Sequence, residues 1–215
     1  MSALSLDRVT EYLDGLVPSR PAELRRMEAI AERSDFPIIG PACGHVCYLV
    51  ARLTGARRVF ELGSGFGYST AWFARAVAEN GGGEVHHTVW DEDLSARARR
   101  HLDRLGYTKL IRYHVAEAAG ELKRARTRFD LIFNDIDKHG YPGSLPVIQR
   151  KLKPGGVLIV DNLLWDGRIF DAKDRSASTR GVRELTRRVM RDRRWTATIV
   201  PIRDGLLVAR WQPRG

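Results

Sequence analysis

Short apolar runs alternate with helical patterns along the middle of the chain, and this alternation constrains the fold more than any other feature. Five runs are typical of strands, at Arg58–Leu62, Val85–Trp90, Ile111–Val115, Leu131–Asp135 and Val157–Val160. The helical patterns cover about residues 69–79, 93–105, 143–152 and 177–192. Strands that alternate with helices indicate βαβ units and therefore an α/β fold with a parallel sheet.

The two ends of the chain add elements to this central pattern. The runs Ala197–Pro201 and Gly205–Trp211 lie on either side of Arg203-Asp204-Gly205, a hairpin signal, and predict one antiparallel strand at the sheet edge. Before the first strand, helical patterns cover residues 5–17, 21–34 and about 42–54. Because 215 residues suit one domain and no segment resembles a linker, we expect residues 1–215 to form a single domain.

Composition indicates an ordinary globular protein. Hydrophobic residues make up 43% and charged residues 29% of the chain, and no run of about 18 apolar residues is present to span a bilayer. The N-terminus lacks the basic-then-apolar pattern of a signal peptide. Cys43 and Cys47 lie in one helical stretch, where core-facing thiols are expected rather than a disulfide. These observations predict a cytoplasmic protein with no membrane partner.

The formal net charge is +10, and it is concentrated in one stretch. Between Arg97 and Arg128 there are ten lysines and arginines against three acids. Such an excess attracts polyanions, but charged residues on solvated helix faces are the simpler interpretation. The aromatic residues expected of a single-strand RNA surface are not interleaved here, so a nucleic acid partner is possible but not favoured.

The first strand runs directly into the glycine-rich segment Gly63-Ser64-Gly65-Phe66-Gly67. Glycines let the backbone turn sharply and approach a ligand at the carboxyl end of a strand. The spacing G-x-G-x-G differs from the G-x-G-x-x-G fingerprint of dinucleotide-binding proteins, which counts against a dehydrogenase. Glu61 would repel a pyrophosphate and favours a ligand with a cationic amino acid moiety.

Two later strands end abruptly in polar residues. Asp135 ends one apolar run, and Asp161 and Asn162 follow the next. If these strands are adjacent and parallel, their carboxyl ends lie about 4.8 Å apart, so the three side chains could converge. Three oxygen ligands suit a hard cation such as Mg²⁺, and Ca²⁺ or Mn²⁺ could occupy the same ligands.

Together these segments resemble a known family. The glycine segment resembles motif I of class I S-adenosylmethionine-dependent methyltransferases, and residues 35–211 as a whole resemble the catechol and caffeoyl-CoA O-methyltransferase family. The residues that the resemblance implies at the cofactor site are Glu61, Gly63, Ser64, Gly65, Tyr68, Ser69, Glu117, Asp135 and Asp137. It also implies catalytic roles for Asp135 and Lys138, with Lys138 at the position of the general base.

The second strand departs from the family pattern. Val89 aligns with the position where an acid usually binds the ribose hydroxyls, and Asp91 follows two residues later. Either Asp91 takes that role through a change of register, or the ribose contact is lost. Asp91 could also serve as the N-cap of the helix that begins near residue 93.

The resemblance implies a Rossmann-like, doubly wound fold and a reaction. The expected sheet has seven strands in the order 3-2-1-4-5-7-6, with helices on both faces. N-terminal accessory helices, about residues 1–40, would cover the site or form a contact in a homodimer. The expected reaction is metal-dependent transfer of a methyl group from S-adenosylmethionine to a hydroxyl of a small catechol-like or phenolic acceptor. A hydroxylated tRNA nucleoside as acceptor, or a non-catalytic binding module on the same fold, are the alternatives.

Overall fold

The computed structural model describes residues 6–213, and a seven-stranded mixed sheet runs through them. The strands are β1 (Arg58–Leu62), β2 (Glu84–Val89), β3 (Ile111–Val115), β4 (Phe129–Asn134), β5 (Leu152–Val160), β6 (Trp195–Val200) and β7 (Leu206–Trp211). Their order is β3-β2-β1-β4-β5-β7-β6, with β7 antiparallel to both β5 and β6. The expected order and the single antiparallel strand are confirmed, but that strand, β7, lies between β5 and the edge strand β6 rather than at the edge itself. Residues 1–5 and 214–215 of the predicted domain lie outside the described residues.

Eight α-helices connect or precede these strands within residues 6–213. They are α1 (Leu6–Leu16), α2 (Ala22–Ser34), α3 (Gly40–Leu53), α4 (Tyr68–Glu79), α5 (Glu92–Arg104), α6 (Ala118–Arg124), α7 (Tyr141–Lys151) and α8 (Ala177–Arg191). No helix in this range combines the length and hydrophobicity that crossing a bilayer requires.

Most predicted bounds are shifted by one or two residues, and two elements differ more from the sequence prediction. Helix α6 was not predicted because seven residues are too few to show a clear helical period; its start is fixed by the Glu117 side chain, which accepts from Ala119 N at 2.8 Å. Strand β5 begins at Leu152. The sequence predicted a later start, at Val157, because the Pro154–Gly155 step suggests a turn. A register shift opposite Phe129 and Leu131 on β4 allows this irregular start to remain in the sheet.

The core lies on both faces of the sheet, as expected for parallel strands covered by helices. On β4, Leu131 and Phe133 join the apolar cluster formed with α2 to α5, whereas Ile132 joins the cluster formed with α6 to α8. This alternation follows from the two-residue period of a strand. Cys43 and Cys47 on α3 are buried free thiols in the first cluster, as predicted.

The register of β1, β4 and β5 makes these three strands end next to each other. Leu62 pairs with Asn134, and Asn134 pairs with Val160. The residues that follow, Gly63, Asp135 and Asp161, therefore leave the sheet side by side at its carboxyl edge.

Gly63 is required at this edge because the two chains approach closely. Its φ is +83°, and a Cβ built on it would lie 2.4 Å from the backbone oxygen of Asp135. Asp135 N in turn donates to Leu62 O at 2.8 Å, which holds the β1 and β4 ends together. A side chain at position 63 would separate them.

We expect Gly63→Ala to lower the free energy of unfolding by at least about 2 kcal/mol, because both the positive φ and the backbone contact oppose a Cβ. Gly143→Ala is the matched control, since Gly143 lies in α7 with nothing within 4 Å of its added Cβ. That change should leave stability equal or raise it by about 0.5–1 kcal/mol. Urea unfolding of both variants measures the difference, and equal values would contradict this explanation.

Candidate active site

A cavity opens at the carboxyl edge of the sheet, where the ends of β1, β4 and β5 meet. Its walls come from the segment between α2 and α3, the β1–α4 loop, the residues after β4 and β5, and the β6–β7 turn. The lining residues are Phe36, Pro37, Ile38, Ile39, Gly63, Ser64, Gly65, Phe66, Tyr68, Ser69, Asp135, Ile136, Asp137, Lys138, Asp161, Asn162 and Arg203.

The cavity gathers most of the residues that the sequence singled out. Those in its lining are Gly63, Ser64, Gly65, Tyr68, Ser69, Asp135, Asp137, Lys138, Asp161 and Asn162. Three others, Glu61, Asp91 and Glu117, are not part of the lining. The predicted N-terminal segment contributes one apolar wall through residues 36–39.

Glu61 lies behind the glycine loop, fully buried. Its two carboxylate oxygens accept hydrogen bonds from Ser69 Oγ at 2.6 Å and Thr70 Oγ1 at 2.5 Å, both in the first turn of α4. Burial raises the pKa of Glu61 to about 7, and the hydroxyl donors offset that rise only in part. Ser69 also lines the cavity, so its hydrogen bond to Glu61 fixes the orientation of one side chain in the cavity wall.

Ser64 ties the same loop to the neighbouring strand. Its backbone N donates to Thr88 O at 3.0 Å, and its Oγ accepts from Thr88 N at 2.9 Å. The loop is therefore held on one side by β2 and on the other by the β4 end. Such bracing keeps the backbone of the glycine segment in place before any ligand binds.

Asp91 and Glu117 act as helix caps in this structure. Asp91 accepts from Leu94 N at 2.8 Å at the start of α5, and Glu117 accepts from the first amides of α6. Capping was the other interpretation offered for Asp91, and it is the one that the geometry shows. A ribose contact by Asp91 stays a prediction.

The two acids at the strand ends each face a cation. Lys138 Nζ lies 2.8 Å from Asp135 Oδ1, and Arg203 Nη1 lies 3.2 Å from Asp161 Oδ2. The side chain of Asp161 is only 2% exposed. Burial, followed by the nearby Asp135 carboxylate, raises the pKa of Asp161 to about 7. Its Oδ1 is buried with no hydrogen-bond partner among the described residues.

The β6–β7 turn contributes Arg203 and Asp204, two site residues that sequence reasoning missed. Asp204 accepts from Asn162 Nδ2 at 3.0 Å and from Asp166 N at 2.7 Å, while its own carbonyl accepts from Leu164 N at 2.8 Å. The turn therefore holds the loop that carries Asp161 and Asn162. The Arg-Asp-Gly segment by itself predicts only a hairpin, and the one further signal in it is the pair of opposite charges next to a glycine.

Comparisons with known proteins identify the family. Residues 19–212 match the family model described as O-methyltransferase. A catechol O-methyltransferase of Niastella koreensis is 30% identical over 151 residues, which cover 68% of this chain and 67% of that protein. Because the family model spans most of the chain, this protein belongs to the O-methyltransferase family, and the resemblance inferred from its sequence is confirmed.

Solved structures agree with this assignment. The O-methyltransferase TomG of Streptomyces achromogenes, in complex with S-adenosylmethionine, is 26% identical with a TM-score of 0.86, and the match covers 98% of this chain and 100% of TomG. A methyltransferase of Geobacter sulfurreducens is 29% identical with a TM-score of 0.80, covering 99% of this chain and 100% of that one. The likeness therefore extends over essentially the whole fold.

The buried Glu61 predicts a measurable pH dependence of stability. Its folded pKa of about 7 exceeds the ordinary 4.5, so the folded state holds a proton that the unfolded state releases. Its contribution to the free energy of unfolding should therefore fall as the pH rises from about 4.5 to 7, by roughly 3 kcal/mol in total. Glu61→Gln removes this titration.

Chemical unfolding at pH 5 and pH 8 tests the expectation for the ligand-free protein. The wild type should lose more stability between these values than Glu61→Gln does. Asp161 titrates in both proteins, so its contribution to the pH dependence of stability cancels in the comparison. Identical losses in the two proteins would show that Glu61 does not hold a proton near neutral pH.

Proposed function

We propose that this chain transfers a methyl group from S-adenosylmethionine to a hydroxyl of a small catechol-like or phenolic acceptor, with a divalent metal ion bound beside the acceptor. One observation carries the proposal. A single cavity joins the glycine loop after β1 to the polar residues after β4 and β5.

The glycine loop supports the donor half of the proposal. Gly63 and Gly65 expose backbone to the cavity, and Tyr68 and Ser69 border it from the start of α4. The donor carries an ammonium group and a cationic sulfur, which acidic surroundings such as Asp135 and Asp137 favour. TomG, with the same fold, binds this donor.

The strand ends support the metal half of the proposal. Asp135, Asp161 and Asn162 line one cavity, and the unpartnered, buried Oδ1 of Asp161 is an acceptor that a cation would satisfy. Asn162 Nδ2 is engaged by Asp204, which leaves the amide oxygen as the atom available for a metal. Within residues 6–213 no group of three or more His, Cys, Asp or Glu side chains is arranged to hold a metal ion, so the amide is essential to this set. An oxygen-only set suits Mg²⁺.

The residues around the strand ends have separable roles in the proposed reaction. A divalent ion, when bound, lowers the pKa of a coordinated hydroxyl and orients it. Lys138 Nζ, which borders the cavity beside Asp135, is the group that would hold the acceptor proton. The apolar segment formed by Phe36 to Ile39 lines another part of the cavity and would shield the reacting groups from water.

The surroundings of Lys138 favour an aromatic acceptor. Its Nζ lies 5.5 Å from the ring centroid of Tyr141 and 5.7 Å from that of Trp165. In the cavity lining, Phe36 contacts Phe66 edge-on, with ring centroids 5.0 Å apart. A flat ring with adjacent hydroxyls would pack against Phe36 and Phe66, which line the cavity, and direct its oxygens to the strand ends.

The basic residues support an RNA acceptor less well. A cluster formed by Lys123, Arg126, Arg128, Arg150 and Lys151 precedes β4 and β5, at the amino ends of the strands. The cavity lies at the carboxyl ends, on the opposite edge of the sheet. This cluster is therefore poorly placed to deliver an RNA chain to the site.

We expect methyl transfer to a catechol to require Mg²⁺ and to stop in the presence of a chelator. Asp161→Asn should lower the rate on the order of 100-fold or more, because one anionic metal ligand is lost. Its affinity for S-adenosylmethionine, measured by calorimetry, should stay close to that of the wild type, since the glycine loop is untouched. Full activity of either protein in chelator would contradict the metal mechanism, and no donor binding to the wild type would contradict the whole proposal.

A further inference from the structure

Arg203 occupies a backbone conformation that an arginine seldom adopts. Its φ is +49°, in the left-handed region, where any side chain with a Cβ is disfavoured relative to glycine. The turn holds it there, since Gly205 N donates to Ile202 O at 2.9 Å and Leu163 N donates to Gly205 O at 2.9 Å. Residues held in such conformations cluster at functional sites, which makes the Arg203 side chain a candidate for a role in this one.

The guanidinium of Arg203 reaches one of the proposed metal ligands. Its only hydrogen bond within residues 6–213 goes from Nη1 to Asp161 Oδ2, and the side chain remains 31% exposed. Asp161, by contrast, is almost wholly buried and has no other cationic partner within hydrogen-bond distance in the described chain. The carboxylate is therefore neutralised by a cation that the protein itself supplies.

We propose that Arg203 is the resident counter-ion of Asp161, which a divalent metal ion must displace, and that it thereby sets the metal affinity of the site. The inference rests on the metal-binding part of the proposed function. A guanidinium and a metal ion compete for the same carboxylate, and like charges only a few ångströms apart repel each other strongly in a site of low polarity. Arg203 in its present position therefore lowers the affinity of the site for the metal ion, and movement of Arg203 away from Asp161 raises it.

A displaced guanidinium has a second acidic environment nearby. Arg203 also lines an adjoining cavity whose other members include Glu28, Glu32 and Asp35 from α2 and its C-terminal end. Because Arg203 lines both cavities, rotation of its side chain would carry the guanidinium from one to the other. The turn backbone, which supports Asn162 through Asp204, can stay in place during that movement.

Titration calorimetry with Mn²⁺ alone, on the purified full chain, tests this assignment. Arg203→Met removes the charge, and it should bind the ion on the order of tenfold tighter or more. Arg203→Lys keeps the charge and should bind close to wild type. Arg210→Met is the matched control, because Arg210 is exposed on β7 and its loss changes the net charge by the same amount. This control should not alter the affinity.

Arg203→Gly provides a second neutral variant that relieves the positive φ, and it should show the same tightening even if Arg203→Met folds poorly. Equal Mn²⁺ affinities in the wild type and both neutral variants would overturn the role of Arg203 while leaving the metal site intact. Absence of Mn²⁺ binding in every variant would overturn the metal part of the proposed function, and this inference with it.

Discussion

The site depends on the register of three parallel strands, β1, β4 and β5, which end side by side at the carboxyl edge of the sheet. Leu62, Asn134 and Val160 are paired across β1, β4 and β5, so the glycine loop and both strand-end acids leave the sheet at the same edge. A shift of one residue in either pairing would turn these side chains to the other face of the sheet. The close backbone approach at Gly63 makes this alignment possible, and hydrogen bonds from Asp135 N to Leu62 O and from Asp161 N to Asn134 O maintain it.

The second constraint is electrostatic. Two carboxylates, Asp135 and Asp161, line the same cavity, and each is paired with a protein cation. Burying such charges without partners would be costly, and this explains why Lys138 and Arg203 accompany them. A positively charged ligand that binds these carboxylates must therefore compete with Lys138 and Arg203 for them.

The sequence predicted the strands, their order and most cavity residues, because each of these rests on a local pattern or on the family resemblance. It did not assign a site role to Arg203 and Asp204, whose partners Asp161 and Asn162 lie 42 residues earlier in the chain. Contacts of that separation leave no periodic signal. Asp91 and Glu117 illustrate the opposite difficulty, since an acid before a helix has the same local signature whether it caps the helix or binds a ligand.

A crystal structure with Mn²⁺ and S-adenosylhomocysteine would test the central claim most directly. The account predicts one anomalous peak within about 2.0–2.6 Å of oxygens from Asp135, Asp161 and Asn162. It also predicts that the nucleoside product lies against the loop from Gly63 to Ser69. A peak at other residues, or a product bound away from the glycine loop, would contradict the account.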